Sequence, residues 1–131
     1  MASDLEQLST EEFLLLTTFR RSGEAVGTPV WVVRDGSHLL VTTGQQTGKV
    51  KRLRHTPRAL LSPCSRRGTV AENAPVFEAR AEIVEDSEAV EHLQELIKAK
   101  YGFLAQMIAV IEAVRGRFRH VQRVEVRLEL L

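Results

Sequence analysis

The sequence lacks the features that several classes of protein require. Cys64 is the single cysteine among 131 residues, so an intramolecular disulfide and a cluster of thiolate metal ligands are both excluded. No apolar run approaches the roughly 18 to 20 residues that a membrane-spanning helix needs. The acidic, polar N-terminal segment has no apolar core of the kind found in secretory signals. We therefore expect a protein of the reducing cytoplasm.

The histidines do not provide the spacing of a metal site either. They are His38, His55, His92 and His120, and no two of them have the close spacing of paired metal ligands. We expect no metal site. No constellation of residues in the sequence identifies a catalytic acid or base, so the catalytic residues stay unassigned.

Acidic residues are missing from residues 36–71, although this segment is rich in bases. The next segment, residues 72–95, has the opposite character, with many carboxylates and a single arginine. Two interpretations are open: the basic segment binds an anionic partner, or it is a solvated face that pairs with the acidic segment across the fold. The basic residues are Lys49, Lys51, Arg52, Arg54, Arg58, Arg66 and Arg67.

Segments rich in alternating or β-branched residues predict six β-strands. Turns at residues 21–24 and at Asp35-Gly36 would join the first three strands into an antiparallel meander. Pro29 lies inside the second strand, which indicates an edge, a bulge or a bend there. The six strands cover residues 13–20, 26–33, 38–43, 58–64, 76–84 and 120–131.

Helical signals separate these strands. A capping-box spacing that starts at Ser9 predicts a short helix early in the chain. Residues 46–55 predict a second helix. A third helix, capped at residues 86–87, is broken or kinked at Gly102 and ends at Gly116.

The order of these elements predicts a small barrel made by one domain, residues 1–131. Its class is mainly β (α+β), with six antiparallel strands. A short helix crosses between the third and fourth strands, and a longer helix in the C-terminal half covers a side or an opening of the barrel.

The segment between the third strand and the second helix has the composition of a phosphate site. Gly44 and Gly48 bracket a short loop at the helix start, where free backbone N–H groups and the positive end of the helix dipole favour an anion. Lys49 adds a point charge, and Arg52, one turn further on, adds a bidentate donor. Hydroxyl donors are available from Thr42, Thr43 and Thr47.

The same segment is not a Walker A loop. Three residues rather than four separate the two glycines, and Val50 stands where that motif needs Ser or Thr. This disfavours hydrolysis of nucleoside triphosphates. The alternative to a phosphate site is an amphipathic helix whose Val50 and Leu53 face the core while its basic residues face water. These residues alone leave both interpretations open.

Short motifs follow one another along the chain in an order that is more specific than any one of them. They are Leu16-Thr17-Thr18-Phe19, Gly23, Thr28-Pro29-Val30-Trp31, Thr42-Thr43, Gly48-Lys49-Val50-Lys51-Arg52-Leu53-Arg54, Pro57-Arg58, Cys64-Ser65-Arg66-Arg67-Gly68 and Tyr101-Gly102. Together they resemble the pyridoxamine 5'-phosphate oxidase-like (PPOX class) split-barrel proteins, in particular the branch that uses the deazaflavin coenzyme F-420. The resemblance extends from about Phe13 to the end of the chain.

This resemblance implies a homodimer of split β-barrels with the architecture of FMN-binding proteins and a cofactor groove at the subunit interface. Within that groove, Thr42, Thr43 and Lys49 would hold the cofactor phosphate, next to Gly48. The segment formed by Thr28, Pro29, Val30 and Trp31 would lie against the deazaflavin ring, with its backbone bonded to the ring edge. The residues implied near the phosphate or the anionic oligoglutamate tail are Lys51, Arg52 and Arg67.

The expected function is that of an oxidoreductase. It would transfer a hydride between coenzyme F-420 and a conjugated small molecule, such as a quinone, a nitro compound or a tetrapyrrole. Related members use FMN, but the dense basic segment fits the more anionic deazaflavin better. The cofactor itself performs hydride chemistry, which is consistent with a sequence that has no evident acid–base constellation.

Two other functions stay open. A non-catalytic protein that binds or carries F-420 or FMN would share every feature above. A nucleic-acid-binding module would use the basic segment, but that segment has no interleaved aromatic residues on which bases could stack.

Overall fold

The computed structural model describes residues 3–102 and 122–131. Three helices and seven strands occur in these residues. In chain order they are α1 (Asp4–Ser9), β1 (Leu14–Phe19), β2 (Ala25–Val30), β3 (Val33–Asp35), β4 (His38–Gly44), α2 (Gly48–His55), β5 (Arg58–Pro63), β6 (Phe77–Val84), α3 (Ser87–Tyr101) and β7 (Arg123–Leu130).

The seven strands form one antiparallel sheet in the order β2-β1-β5-β6-β7-β4-β3. Its two edge strands, β2 and β3, are consecutive in the chain and are joined only by Trp31 and Val32. Three Cα steps reach at most about 11 Å, so the two edges must meet at this crossing. The sheet is therefore rolled into a split barrel, which confirms the predicted fold class. Pro29 lies on an edge strand, as expected.

The strand count and the meander were predicted incorrectly. Residues 26–33 form two strands on opposite edges of the sheet, so β2 pairs with β1 while β3 pairs with β4. The alternation of side chains continues across the crossing: Val30 and Val32 face the barrel core, whereas Trp31 and Val33 face α3. A change of pairing partner leaves this period intact, so the sequence pattern does not reveal it.

The barrel interior is a single hydrophobic core. Leu8 of α1 and Leu53 of α2 pack into it from outside the sheet. The strands contribute Leu14, Leu16, Val30, Leu39, Val41, Ala59, Leu61, Ala79, Ala81, Val126 and Leu128. A second, smaller cluster fixes α3 on the outer surface, where Leu93 and Ile97 pack on Val33 and Leu40.

The helix boundaries differ from the predicted ones at two places. The first helix ends at Ser9 rather than beginning there, because Ser3 is its N-cap and accepts a hydrogen bond from the Glu6 N–H at 3.1 Å. The second helix begins at Gly48 rather than at residue 46. None of the helices in the described residues is long and apolar enough to cross a membrane.

The third helix follows its prediction as far as it is described. Asp86 caps it by accepting from the Ala89 N–H at 3.2 Å, and it ends at Gly102, whose φ of +58° favours glycine. The predicted helical pattern beyond Gly102, its end at Gly116 and the strand start at residue 120 lie outside the described residues.

Candidate functional site

A cleft of about 410 Å³ lies where the two edges of the sheet meet. Residues from three strands, two helices and three connecting segments line it. Its apolar part is formed by Phe13, Pro29, Val30, Trp31 and Ile97. Its polar part is formed by Thr42, Thr43, Gly44, Thr47, Lys49, Gln94, Lys98 and Arg123.

Six of the eleven residues that the sequence indicated for cofactor binding line this cleft. They are Pro29, Val30, Trp31, Thr42, Thr43 and Lys49. The fold brings residues 29–31 next to Thr42, Thr43 and Lys49, although strand β3 and a turn separate them in the chain. They meet because β2 and β4 lie at or next to opposite edges of the rolled sheet.

The other five indicated residues lie outside the cleft lining. Thr28 lies on β2, where it pairs with Leu16 of β1. Gly48 is exposed at the start of α2. Lys51 and Arg52 line a separate shallow depression beside the β1–β2 turn. Arg67 is exposed in the loop after β5.

The polar part is built around the start of α2. Thr47 is the N-cap residue by conformation, but its hydroxyl makes no capping bond. Instead it donates to the Gly44 carbonyl at 3.0 Å and lies 3.2 Å from the Thr43 hydroxyl. No acidic residue lies in the first turn. The backbone N–H groups of this turn therefore have no side-chain acceptor among residues 3–102 and 122–131, and they can serve an anion.

Within the described residues, the charges that act on Lys49 at this helix start are positive. Burial lowers the pKa of Lys49, and the nearby cations Arg52 and Arg123 lower it further. Such a cluster is unfavourable by itself and is relieved when an anion binds among the charges.

Arg123 is a member of the cleft that the sequence did not indicate. It comes from β7, where it pairs with Gly44 of β4, and its Nε donates to the Thr42 hydroxyl at 3.3 Å. The alternating pattern of β7 was visible in the sequence. The pattern did not say which strand β7 would pair with, so nothing connected Arg123 to Thr42.

Helix α3 supplies a second set of unanticipated residues. Gln94, Ile97 and Lys98 share one face of the helix at spacings of three and four residues, and all three line the cleft. The amide of Gln94 donates to the Thr42 hydroxyl at 3.4 Å. The spacing was readable in the sequence, whereas the surface that α3 covers was not.

Arg52 holds the first turn of α2 against the barrel. Its Nε donates to the buried hydroxyl of Thr18 at 2.6 Å. A Cβ on Gly48 would lie 2.7 Å from Nη1 of Arg52, so this position has room only for glycine unless the guanidinium moves. The role that the contacts assign to Arg52 is to support the helix start.

Part of the basic segment pairs with the acidic segment, as one of the two sequence interpretations expected. Arg54 pairs with Glu85, and Arg58 pairs with Glu78 at 2.8 Å. By contrast, no ion pair within the described residues involves Lys49. The pairing interpretation therefore holds for Arg54 and Arg58, and the anion-binding interpretation stays open for the cleft residue Lys49.

The model of the family described as pyridoxamine 5'-phosphate oxidase matches residues 4–126. The chain belongs to this family. The resemblance inferred from the ordered motifs is thereby confirmed. No curated protein sequence matches the chain significantly.

Solved structures share the fold of this family member. Protein Rv2991 from Mycobacterium tuberculosis, described as a conserved hypothetical protein, is 20% identical, with a TM-score of 0.69 over 97% of this chain and 79% of that one. A structure described as an F420 reductase is 19% identical, with a TM-score of 0.62 over 100% of this chain and 96% of that one. HutZ from Vibrio cholerae, described as a heme storage protein, is 16% identical, with a TM-score of 0.68 over 98% and 88%. At these identities the likeness concerns the fold.

Proposed function

We propose that the cleft binds a phosphate-bearing flavin-type cofactor and that the protein is a coenzyme F-420-dependent oxidoreductase. The observation that carries the proposal is the two-part lining of the cleft. An uncapped helix start with a half-buried lysine adjoins an apolar part that contains a tryptophan. A ligand with a phosphate at one end and a flat ring at the other would satisfy both parts.

The residues present fit such a ligand chemically. Lys49, the first-turn N–H groups of α2 and the Thr43 hydroxyl are donors suited to a phosphate. Trp31 and Pro29 provide a flat apolar wall on the same cleft. When bound, the cofactor supplies the hydride chemistry, while these side chains hold its phosphate and keep water from its ring.

Coenzyme F-420 is preferred over FMN because cationic groups extend beyond the helix start. Arg123 lines the cleft from β7, and Lys51 and Arg52 lie just outside it. A ligand with carboxylates in addition to its phosphate could use these charges. The fold shared with a structure described as an F420 reductase supports the same choice.

Arg54 and Arg58 form ion pairs with Glu85 and Glu78, so these two arginines are not available to an anionic ligand. The preference for F-420 therefore rests on the cations in and beside the cleft, not on the whole basic segment.

A titration tests the proposal directly. The pure protein is titrated with oxidised F-420 and, separately, with FMN, and binding is followed by flavin fluorescence. We expect tighter binding of F-420. Failure to bind either cofactor below about 100 μM, which corresponds to only about −5 kcal/mol, would refute the proposal.

Binding without turnover would point to the alternative, a cofactor carrier of the same fold. A panel of quinones, nitro compounds and tetrapyrroles, assayed with reduced F-420, separates the two functions. Oxidation of reduced F-420 that depends on both the protein and one acceptor class would establish the enzyme. Binding of nucleic acid that weakens steeply with salt, in the absence of cofactor binding, would instead favour the nucleic-acid module.

We also propose, from the family resemblance, that the protein is a homodimer whose partner subunit adjoins the cleft. Sedimentation equilibrium measures the assembly directly. A monomer at all concentrations would show that no partner subunit adjoins the cleft. The cytoplasmic location stays a prediction from the sequence.

A further inference from the structure

The last two residues of α3, Lys100 and Tyr101, fasten together two segments that wall the cleft. The ammonium of Lys100 donates to three backbone carbonyls, those of Ser9 at 2.8 Å, Glu11 at 2.6 Å and Val32 at 2.7 Å. Burial lowers the pKa of Lys100, and the nearby Glu11 and Glu12 oppose that shift. The three bonds tie the connection between α1 and β1 to the crossing between β2 and β3.

The hydroxyl of Tyr101 bridges the same two segments. It accepts from the Val32 N–H at 3.0 Å and donates to the Glu12 carbonyl at 2.7 Å, with the Val32 carbonyl at 3.2 Å. Burial raises the pKa of Tyr101 to about 12, so the hydroxyl keeps its proton at neutral pH and remains a donor. Glu12 and Val32 each adjoin a residue of the apolar part of the cleft, Phe13 and Trp31.

The ring of Tyr101 adds a direct contact with that wall. It stacks on the indole of Trp31, with ring centroids 4.2 Å apart and an interplanar angle of 11°. Tyr101 does not itself line the cleft, so the surface that Trp31 shows to the cleft is not the face that Tyr101 covers. The stack therefore supports the indole from behind.

We infer that Tyr101 is a positioning residue for recognition of a flat ring: its stack on Trp31 fixes the apolar wall of the cleft. The inference rests on the proposed function, because it concerns the ring end of the same ligand. It assigns to a residue outside the cleft a part in ring affinity that is separate from the phosphate contacts of Lys49.

Two substitutions at Tyr101 separate the stack from the hydroxyl. Tyr101→Leu removes the ring, and we expect it to weaken cofactor binding by roughly two- to ten-fold, the range for loss of one aromatic pair. Tyr101→Phe keeps the ring and should retain most of the affinity. Phe77→Leu is the matched control, because Phe77 is also a half-buried aromatic but packs on the barrel core away from the cleft.

A competitor that has only the anionic end shows whether the effect is specific. Pyrophosphate is used to displace bound F-420 or FMN from each variant. If Tyr101 positions the apolar wall of the cleft, Tyr101→Leu lowers the affinity for the cofactor and leaves the affinity for pyrophosphate unchanged. A general loosening of the structure would weaken both ligands and would overturn the inference.

The state of the wall can also be observed without a ligand, because Trp31 is the single tryptophan and Tyr101 the single tyrosine of the chain. Acrylamide quenching of Trp31 fluorescence should increase in Tyr101→Leu and stay near the wild-type value in Phe77→Leu. Unchanged quenching in Tyr101→Leu would mean that the stack does not hold the indole.

The outcomes of these measurements distinguish the two proposals. If the wild-type protein binds neither cofactor, the proposed function fails, and the inference fails with it. If the wild-type protein binds a cofactor and Tyr101→Leu binds it equally well, the inference alone is wrong.

Discussion

Lys49 allows the sharpest test of the cleft, because its environment opposes its charge until an anion arrives. The ammonium is half-buried, and burial, Arg52 and Arg123 all lower its pKa. In Lys49→Ala the ligand loses one hydrogen bond to a charged group, which is worth about 1.5 to 3 kcal/mol. The dissociation constant for the cofactor should therefore rise by roughly 10- to 150-fold.

The same substitution should not weaken the free protein through electrostatics. Because the folded pKa of Lys49 lies below its unfolded value of 10.5, the unfolded chain holds more protons between those two values. The unfavourable contribution of Lys49 to stability is complete below the folded pKa and is relieved as the pH rises through it. Removal of the ammonium at neutral pH should therefore leave the Tm of the ligand-free protein unchanged or higher.

The assay is a fluorescence titration with F-420 or FMN, together with a thermal melt of the free protein. Arg54→Ala is the matched control, since it removes one positive charge from the same helix at a residue paired with Glu85 outside the cleft. Arg54→Ala should bind within about two-fold of wild type, as expected for an exposed pair. Equal affinity in Lys49→Ala and wild type would show that the phosphate binds elsewhere.

Three further predictions concern other residues. Arg123→Gln should weaken cofactor binding by about 1.5 to 3 kcal/mol in the same titration, and unchanged affinity would remove β7 from the site. Glu125→Ala should lower the free energy of unfolding in urea by about 1 to 3 kcal/mol, because the buried Glu125 accepts two bonds from Arg127; an unchanged urea midpoint would contradict this. Gly36→Ala should cost about 1 to 2 kcal/mol in the same measurement through its φ of +59° alone, since an added Cβ meets no atom within 4 Å; no loss would mean that the turn relaxes.

Most of the fold could be predicted because strand and helix periods are local properties. The pattern from Val124 to Leu130 placed β7 correctly, and the spacing of Val50 and Leu53 placed α2. The pairing of strands was not available in this way. The break at Trp31 and Val32 escaped prediction because inward and outward side chains keep alternating while the hydrogen-bond partner changes from one edge of the sheet to the other.

The candidate site could be predicted where it is contiguous in sequence. Thr42, Thr43 and Lys49 lie within one strand–loop–helix segment, and the physics of a helix start indicated them as a phosphate site, with a solvated amphipathic helix as the alternative. Arg123 and Gln94 reach the same cleft only through the β4–β7 register and the packing of α3. No local rule connects a residue near the end of the chain with the hydroxyl of Thr42.

The strand pairings on either side of the short crossing at Trp31 and Val32 close loops of very different length. The β1–β2 and β3–β4 hairpins join neighbours in sequence and can form early, whereas the β1–β5 and β4–β7 pairings must close long loops. Only those late pairings join the two hairpins into one closed sheet. Partly folded chains therefore lack the complete cleft, whose lining includes residues of β2, β4 and β7, and a ligand of the cleft would select the finished barrel. A higher concentration of this ligand would then raise the Tm by mass action. The supply of ligand would therefore set how much of the protein stays folded.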